Sequence, residues 1–287
     1  MEDVGFATTK PTMKLSHHKT AELIDKFLLL ADNTTWSRYT SFAWEELKPE
    51  LLTGRQRQAV FFITYIEDHL PGYFTEYVKR FPIDETVSSD DCIQNRELYH
   101  FIVRWAQEED RHAHVLFNYQ VRAGLADVDS LRRDLAREGS KTFTIGFTEA
   151  PDVFTYTMLQ EKSTFLFYQQ FHNAVEEPVL KAILRLLAKD EARHFSYFMS
   201  VVGTYIEKYG EQMLPRMKEV VRQFGMPLHN TLTNYKRLSL IVQDAAGGYD
   251  HTESFEELKK VINKFADAET RSKSVTLTDF VQSIRTV

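Results

Sequence analysis

Cysteine is almost missing from this chain: Cys92 is the only one in 287 residues. A single thiol excludes an intramolecular disulfide, and with it the disulfide-stapled secreted class, and it fits a reducing compartment. Glycine (11) and proline (8) are scarce, which argues against a many-turned sheet architecture and for long helices. No apolar run approaches the roughly 20 residues of a membrane span. The first twenty residues, with Glu2, Asp3 and Lys10, lack the apolar stretch of a secretory leader. A formal net charge of −6 offers no basic excess for nucleic acid. These absences predict a soluble all-α protein with neither nucleic acid nor membrane as partner. Its expected location is cytoplasmic, or the stroma of an organelle if a transit peptide has been removed.

Helical periodicity fills most of the chain. A first amphipathic run covers residues 20–30, followed by an aromatic connector from Trp36 to Trp44. Residues 55–79 place Val60, Phe61, Ile63, Ile66, Leu70, Phe74 and Val78 on an apolar stripe in which Glu67 is embedded. Pro71 cannot donate the backbone hydrogen bond that the Glu67 carbonyl would accept, so the spacing predicts a kink there. The longest predicted helix spans about 94–123, with Gly124 placed to end it. A short basic helix follows over 128–138, then helices opening at Pro151 and Pro178 and a further run towards Phe224, stopped by Gly225-Met226-Pro227. Beyond Gly247-Gly248 only short amphipathic pieces remain. Residues 1–245 are therefore expected to form the main domain, and residues 246–287 a peripheral helical appendage rather than an independent unit.

Two tetrapeptides dominate the chemistry: Glu109-Asp110-Arg111-His112 and Glu191-Ala192-Arg193-His194. A Glu and a His three apart lie about 60° from each other on one helical face, so both can reach one metal ion. Each copy is preceded by a lone glutamate in an apolar helix, Glu67 before the first and Glu161 before the second. One Glu-x-x-His arises readily on a solvated face, but the repeated order makes four carboxylates and two imidazoles converging in a four-helix bundle. That is the ligand set of a dinuclear carboxylate centre. Four carboxylates in a dry core repel unless cations compensate them, and two divalent ions would do so. Carboxylate and imidazole donors without thiolate suit iron or manganese better than structural zinc. Glu108 and His114 stand beside the first motif and are set aside as ligands. His69, His100 and His172 are read as surface or structural groups.

At these residues the sequence resembles the soluble acyl-acyl-carrier-protein desaturase family of ferritin-like di-iron enzymes, over about residues 36 to 230. Glu67 with Leu70-Pro71 and Tyr73, Trp105 with Glu109 to His112, Gln160-Glu161 with Thr164-Phe165, and Asp190-Glu191-Ala192-Arg193-His194 each resemble one ligand segment of that family. Phe224 to His229 is similar to the segment after its bundle, and Trp36 resembles the tryptophan of its electron path. The resemblance implies a ferritin-like bundle with flanking helices and two iron ions held by Glu67, Glu109, His112, Glu161, Glu191 and His194. It further implies a threonine at the oxygen-binding face, Thr164, and a carboxylate behind a ligating imidazole, Asp190. The implied reaction is oxygen-dependent desaturation of an acyl chain on acyl-carrier protein, with a ferredoxin-type donor and a homodimeric enzyme. Hydroxylation or N-oxygenation of a natural-product intermediate on the same scaffold is the alternative, with iron storage or peroxide reduction behind it. Phe154, Tyr156, Met158, Phe165 and Phe198 are candidate lining residues. Arg132, Arg133, Arg137 and Lys141 form one candidate patch for the acidic carrier protein.

Overall fold

In the computed structural model, residues 13–285 are described; the polar stretch expected before residue 13 lies outside them. The described residues are all-α, with twelve α-helices, four short 3-10 helices and no strand. The helices are α1 (His17–Asn33), α2 (Gly54–Glu67), α3 (Leu70–Arg80), α4 (Ser89–Arg122), α5 (Val128–Gly139), α6 (Ala150–Ala174), α7 (Pro178–Tyr209), α8 (Met213–Gln223), α9 (Tyr235–Ala245), α10 (Glu256–Phe265), α11 (Ala268–Lys273) and α12 (Val275–Arg285).

Local chemistry fixes the starts of the long elements. Ser16, Ser88 and Asp127 cap α1, α4 and α5 by accepting from the amide three residues on, and Thr53 and Gln56 close a reciprocal capping box on α2. Pro151 and Pro178 lie in the first turns of α6 and α7, where a missing N–H costs nothing. Only residues 175–177 separate α6 from α7, so α7 folds back along α6. The expected single helix over 55–79 is instead two, α2 and α3, divided at Asp68 and His69. Pro71 is the second residue of α3 rather than a kink inside one helix: the chain breaks where the proline would have left a carbonyl unserved.

The bundle of α2, α4, α6 and α7 has a polar belt between two apolar clusters. On α4, Leu98, Phe101, Ile102 and Trp105 belong to one cluster and Val115, Leu116 and Tyr119 to the other. On α6, Val153 to Leu159 and Phe167 to Phe171 divide in the same way, and on α7 Leu180 to Leu187 precede Tyr197 to Ile206. Both embedded motifs and Glu161 occupy the gap. The helices are thus clamped above and below the belt by apolar burial, the dominant favourable term of folding.

The segment after residue 250 lays Phe255, Leu258, Val261 and Ile262 into the first cluster, against α6 and α7. Three of the four basic residues of the expected patch are engaged locally: Arg132 with Asp129 and Arg137 with Asp134 on α5, and Lys141, just after it, with Glu138. No described helix is long and apolar enough to cross a membrane.

Candidate metal centre

Glu67, Glu109, His112 and Glu191 form one set of buried ligand atoms, and Glu109, Glu161, Glu191 and His194 a second; within each set the atoms lie within 4.8 Å of one another. The structure therefore brings together all six side chains singled out in the sequence. His112 Nδ1 stands 3.7 Å from Glu67 Oε2, 3.5 Å from Glu109 Oε2 and 3.4 Å from Glu191 Oε1. His194 Nδ1 stands 3.1 Å from Glu109 Oε1, 3.4 Å from Glu161 Oε2 and 3.6 Å from Glu191 Oε2. Glu109 and Glu191 thus turn one oxygen to each imidazole, which is the arrangement of carboxylates that bridge two ions. Glu67 faces His112 alone and Glu161 faces His194 alone, one on each side.

The donor set fits a pair of cations on a direct observation. His112 Nδ1, His194 Nδ1, both Glu161 oxygens and Glu191 Oε2 are buried without any hydrogen-bond partner. Buried polar atoms without partners are costly, and ions held among them would satisfy all five. The charges tell the same story. Burial, joined by the Glu109 and Glu191 charges, pushes the Glu67 carboxyl up to about 7. Burial and the nearby Glu191 charge drive Glu161 well above the carboxylate range. Burial pulls both imidazoles down, yet the facing carboxylates outweigh it and hold His112 and His194 well above their usual value. Without a cation the cluster keeps protons to offset its own negative charge; divalent ions would take their place.

Behind each imidazole stands a carboxylate from the other motif's helix. His112 Nε2 donates to Asp190 Oδ2 at 3.2 Å, and His194 Nε2 donates to Glu108 Oε2 at 2.8 Å. Such partners fix the tautomer that leaves Nδ1 free for metal. Arg193 joins the pair, reaching Glu108 at 2.6 Å and Asp190 at 2.7 Å, while Arg111 reaches Asp190 at 3.2 Å. The expectation for Glu108 was too narrow: it contributes no ligand atom, but it orients one. Its signal was in the sequence, since an acid precedes the ligand glutamate in both motifs and an arginine precedes both histidines. His114 turns away from the centre, with Nδ1 3.0 Å from Arg38. His69 is fully buried, not on the surface, and belongs to neither ligand set.

Trp36 reaches the network from outside the bundle. Its Nε1 donates to Asp190 Oδ2 at 2.8 Å, and its ring stacks on His112 at an interplanar angle of 9°. Thr164, one turn beyond Glu161 on α6, donates its hydroxyl to the Gln160 carbonyl at 3.1 Å. The Tyr168 hydroxyl donates to Glu67 Oε1, a contact the sequence reading missed.

Two apolar cavities meet at the centre. The outer one, about 240 Å³, runs between α2, α6 and α9 past Ile63, Phe167, Val242 and Tyr249. The inner one, about 40 Å³, is walled by Tyr73, Tyr77, Trp105, Phe143, Ile145 and Tyr156 and touches Glu67, Glu109 and Glu191. Ile66, Glu67, Thr164, Met226 and Pro227 border both. Of the five expected lining residues, Tyr156 alone borders these cavities. Phe154, Met158 and Phe198 are core side chains, and Phe165 lies beside the Lys162 ammonium.

A family model described as fatty acid desaturase matches residues 46–280. Stearoyl-acyl-carrier-protein 9-desaturase 6, a chloroplastic protein of Arabidopsis thaliana, is 26% identical over 169 residues, which are 57% of this chain and 42% of that protein. The match thus takes in less than half of the relative's length. In fold, the chain is similar to the X-ray structure of DesA2 from Mycobacterium tuberculosis H37Rv, a candidate acyl-ACP desaturase. The TM-score is 0.64 at 15% identity, over 92% of this chain and 98% of that one.

Proposed function

This chain belongs to the fatty acid desaturase family, and from that premise we propose that it removes one hydrogen from each of two adjacent carbons of an acyl chain carried as a thioester on acyl-carrier protein. Dioxygen is the oxidant, a reduced ferredoxin-type donor supplies two electrons and the solvent two protons, so that with the two hydrogens from the chain both oxygen atoms leave as water and the acyl chain gains one double bond. The observation that carries the reading is the junction of a buried, carboxylate-rich cluster with an apolar passage: Glu67, Glu109 and Glu191 border the inner cavity, whose other walls include five aromatic rings, Tyr73, Tyr77, Trp105, Phe143 and Tyr156. Two iron ions held by Glu67, Glu109, His112, Glu161, Glu191 and His194 would supply the oxidising capacity that no side chain of the protein has.

The protein's own residues perform the remaining tasks. Ile63, Phe167, Val242 and Tyr249 offer the outer passage an apolar wall for an extended hydrocarbon, and burial of each methylene there contributes about 0.8 kcal/mol. Tyr73, Trp105 and Phe143 exclude water at the inner end. Thr164 borders both cavities, as Glu67 does, and its hydroxyl, now donating to the Gln160 carbonyl, could be redirected to pass a proton to an oxygen species. Asp190 ties Trp36 to His112 through two hydrogen bonds, a short route by which electrons from an external donor would reach the ligands. The carrier-protein substrate is supported by the Arabidopsis relative, whose name specifies that class.

The test is the mass of the product. Purified protein loaded with iron, reduced, and given oxygen with acyl-carrier proteins of several chain lengths should return an acyl group lighter by two hydrogens. An acyl group heavier by one oxygen would assign hydroxylation instead, and unaltered acyl groups at every length would overturn the substrate class.

A further inference from the structure

The two ligand sets follow one pattern, yet their outlying carboxylates are held differently. Glu67 Oε1 accepts a hydrogen bond from the buried phenol of Tyr168, leaving Oε2 as the oxygen that faces His112 Nδ1 at 3.7 Å. Glu161 has no hydrogen-bond partner on either oxygen. Access differs as well: Glu67 borders both cavities, whereas Glu161 borders neither. Were Glu67 to turn both oxygens onto a metal ion, it would give up a charge-assisted hydrogen bond and strand the Tyr168 hydroxyl in an apolar wall, both unfavourable. At Glu161 nothing opposes chelation by both oxygens.

We propose that Tyr168 is a positioning residue that restricts Glu67 to one metal-binding oxygen. An ion beside Glu67 and His112 would then meet four protein donors and take an external ligand from the passage. An ion beside Glu161 and His194, chelated by both Glu161 oxygens, would meet five and sit away from the passage. This rests on reading the six side chains as a dinuclear centre, and it adds that the two positions are unequal, with the reactive opening on the Glu67 side. The chain shows why it would be so: the sole phenol that bonds one of the two outlying carboxylates among the described residues comes from α6, two turns along the same face from Glu161, and reaches across to α2.

Cobalt(II) and azide test the proposal without any acyl substrate. A four-coordinate cobalt ion absorbs visible light more strongly than a five-coordinate one, so the full chain loaded with two cobalt ions should show one stronger and one weaker contribution. A single azide should bind and shift the strong one alone. In Tyr168→Phe the strong band should fall while the cobalt content holds. Azide affinity should drop about tenfold, the lower end of the effect of removing an outer partner from a ligand. Two ions that respond equally to azide in the unaltered protein overturn the proposal, as does a Tyr168→Phe spectrum and azide affinity matching those of the parent. The unaltered protein decides the first point even if the variant does not fold. Fewer than two bound cobalt ions would overturn the dinuclear reading and this proposal together, whereas two ions with equal responses would overturn the role of Tyr168 alone.

Discussion

Glu108 and Asp190 each sit one residue before a ligand glutamate, about 100° round the helix from it, and that rotation points them at the opposite helix's imidazole. Reading one helix at a time, as a sequence must be read, shows Glu108 only as a near miss on its own face; the pairing across α4 and α7 appears once both are placed. The six clustered side chains themselves were legible because each is an ionisable group inside an apolar stripe and the order repeats. Glu108→Gln keeps the shape and removes the charge that His194 Nε2 meets at 2.8 Å. It should weaken metal binding by about 10–100-fold, measured by competition with a chromophoric chelator, with Asp190→Asn giving a like loss through His112. A second residue prediction concerns pH. Burial, with the Asp110 carboxylate adding to it, pushes the half-buried Asp68 carboxyl from 3.8 up to about 6. The folded chain therefore holds this proton more tightly than the unfolded one. Stability falls as pH rises through that window, and the full cost is present above it. Asp68→Asn should stabilise the metal-free protein by roughly 1 kcal/mol at pH 7, after allowance for its partial exposure. Below about pH 4 it should change nothing; denaturant unfolding at both pH values checks this.

Among the elements, α4, α6 and α7 were readable because long amphipathic runs with capping residues leave little choice. The division between α2 and α3 was displaced from Pro71 to Asp68 and His69 because the helix ends before the proline's missing N–H is needed. Helix α9 gave no such notice: it opens at Asn234 in the left-handed region, φ 59, with no side-chain cap, so its start carries none of the usual marks. Its place is set by packing against α2, which periodicity alone does not disclose. The contact between α7 and α10 offers a prediction at this scale. A Cβ added at Gly203 would lie 2.5 Å from the Phe265 ring, so Gly203→Ala should push α10 off α7 and cost about 1–3 kcal/mol. Thermal unfolding followed by circular dichroism measures the loss. The six ligand side chains lie on other turns, and the metal content of the folded variant should be unaltered.

Across the whole molecule, labour is divided along the chain. Every candidate ligand lies between Glu67 and His194, and the carboxylates that steady the imidazoles fall within the same interval. The outer passage is different: Tyr235, Ser239, Val242, Gln243, Tyr249 and His251 supply much of its far wall, and none of them touches the ion-binding atoms. On the proposed reading, exchanging residues 235–251 with those of a homologue should change which acyl lengths are turned over while the metal content stays the same, as product mass and metal analysis would show. One side of the channel can thus vary freely, whereas Ile63, Phe167 and Tyr168 share helices with Glu67 and Glu161 and are bound to the fate of the cluster.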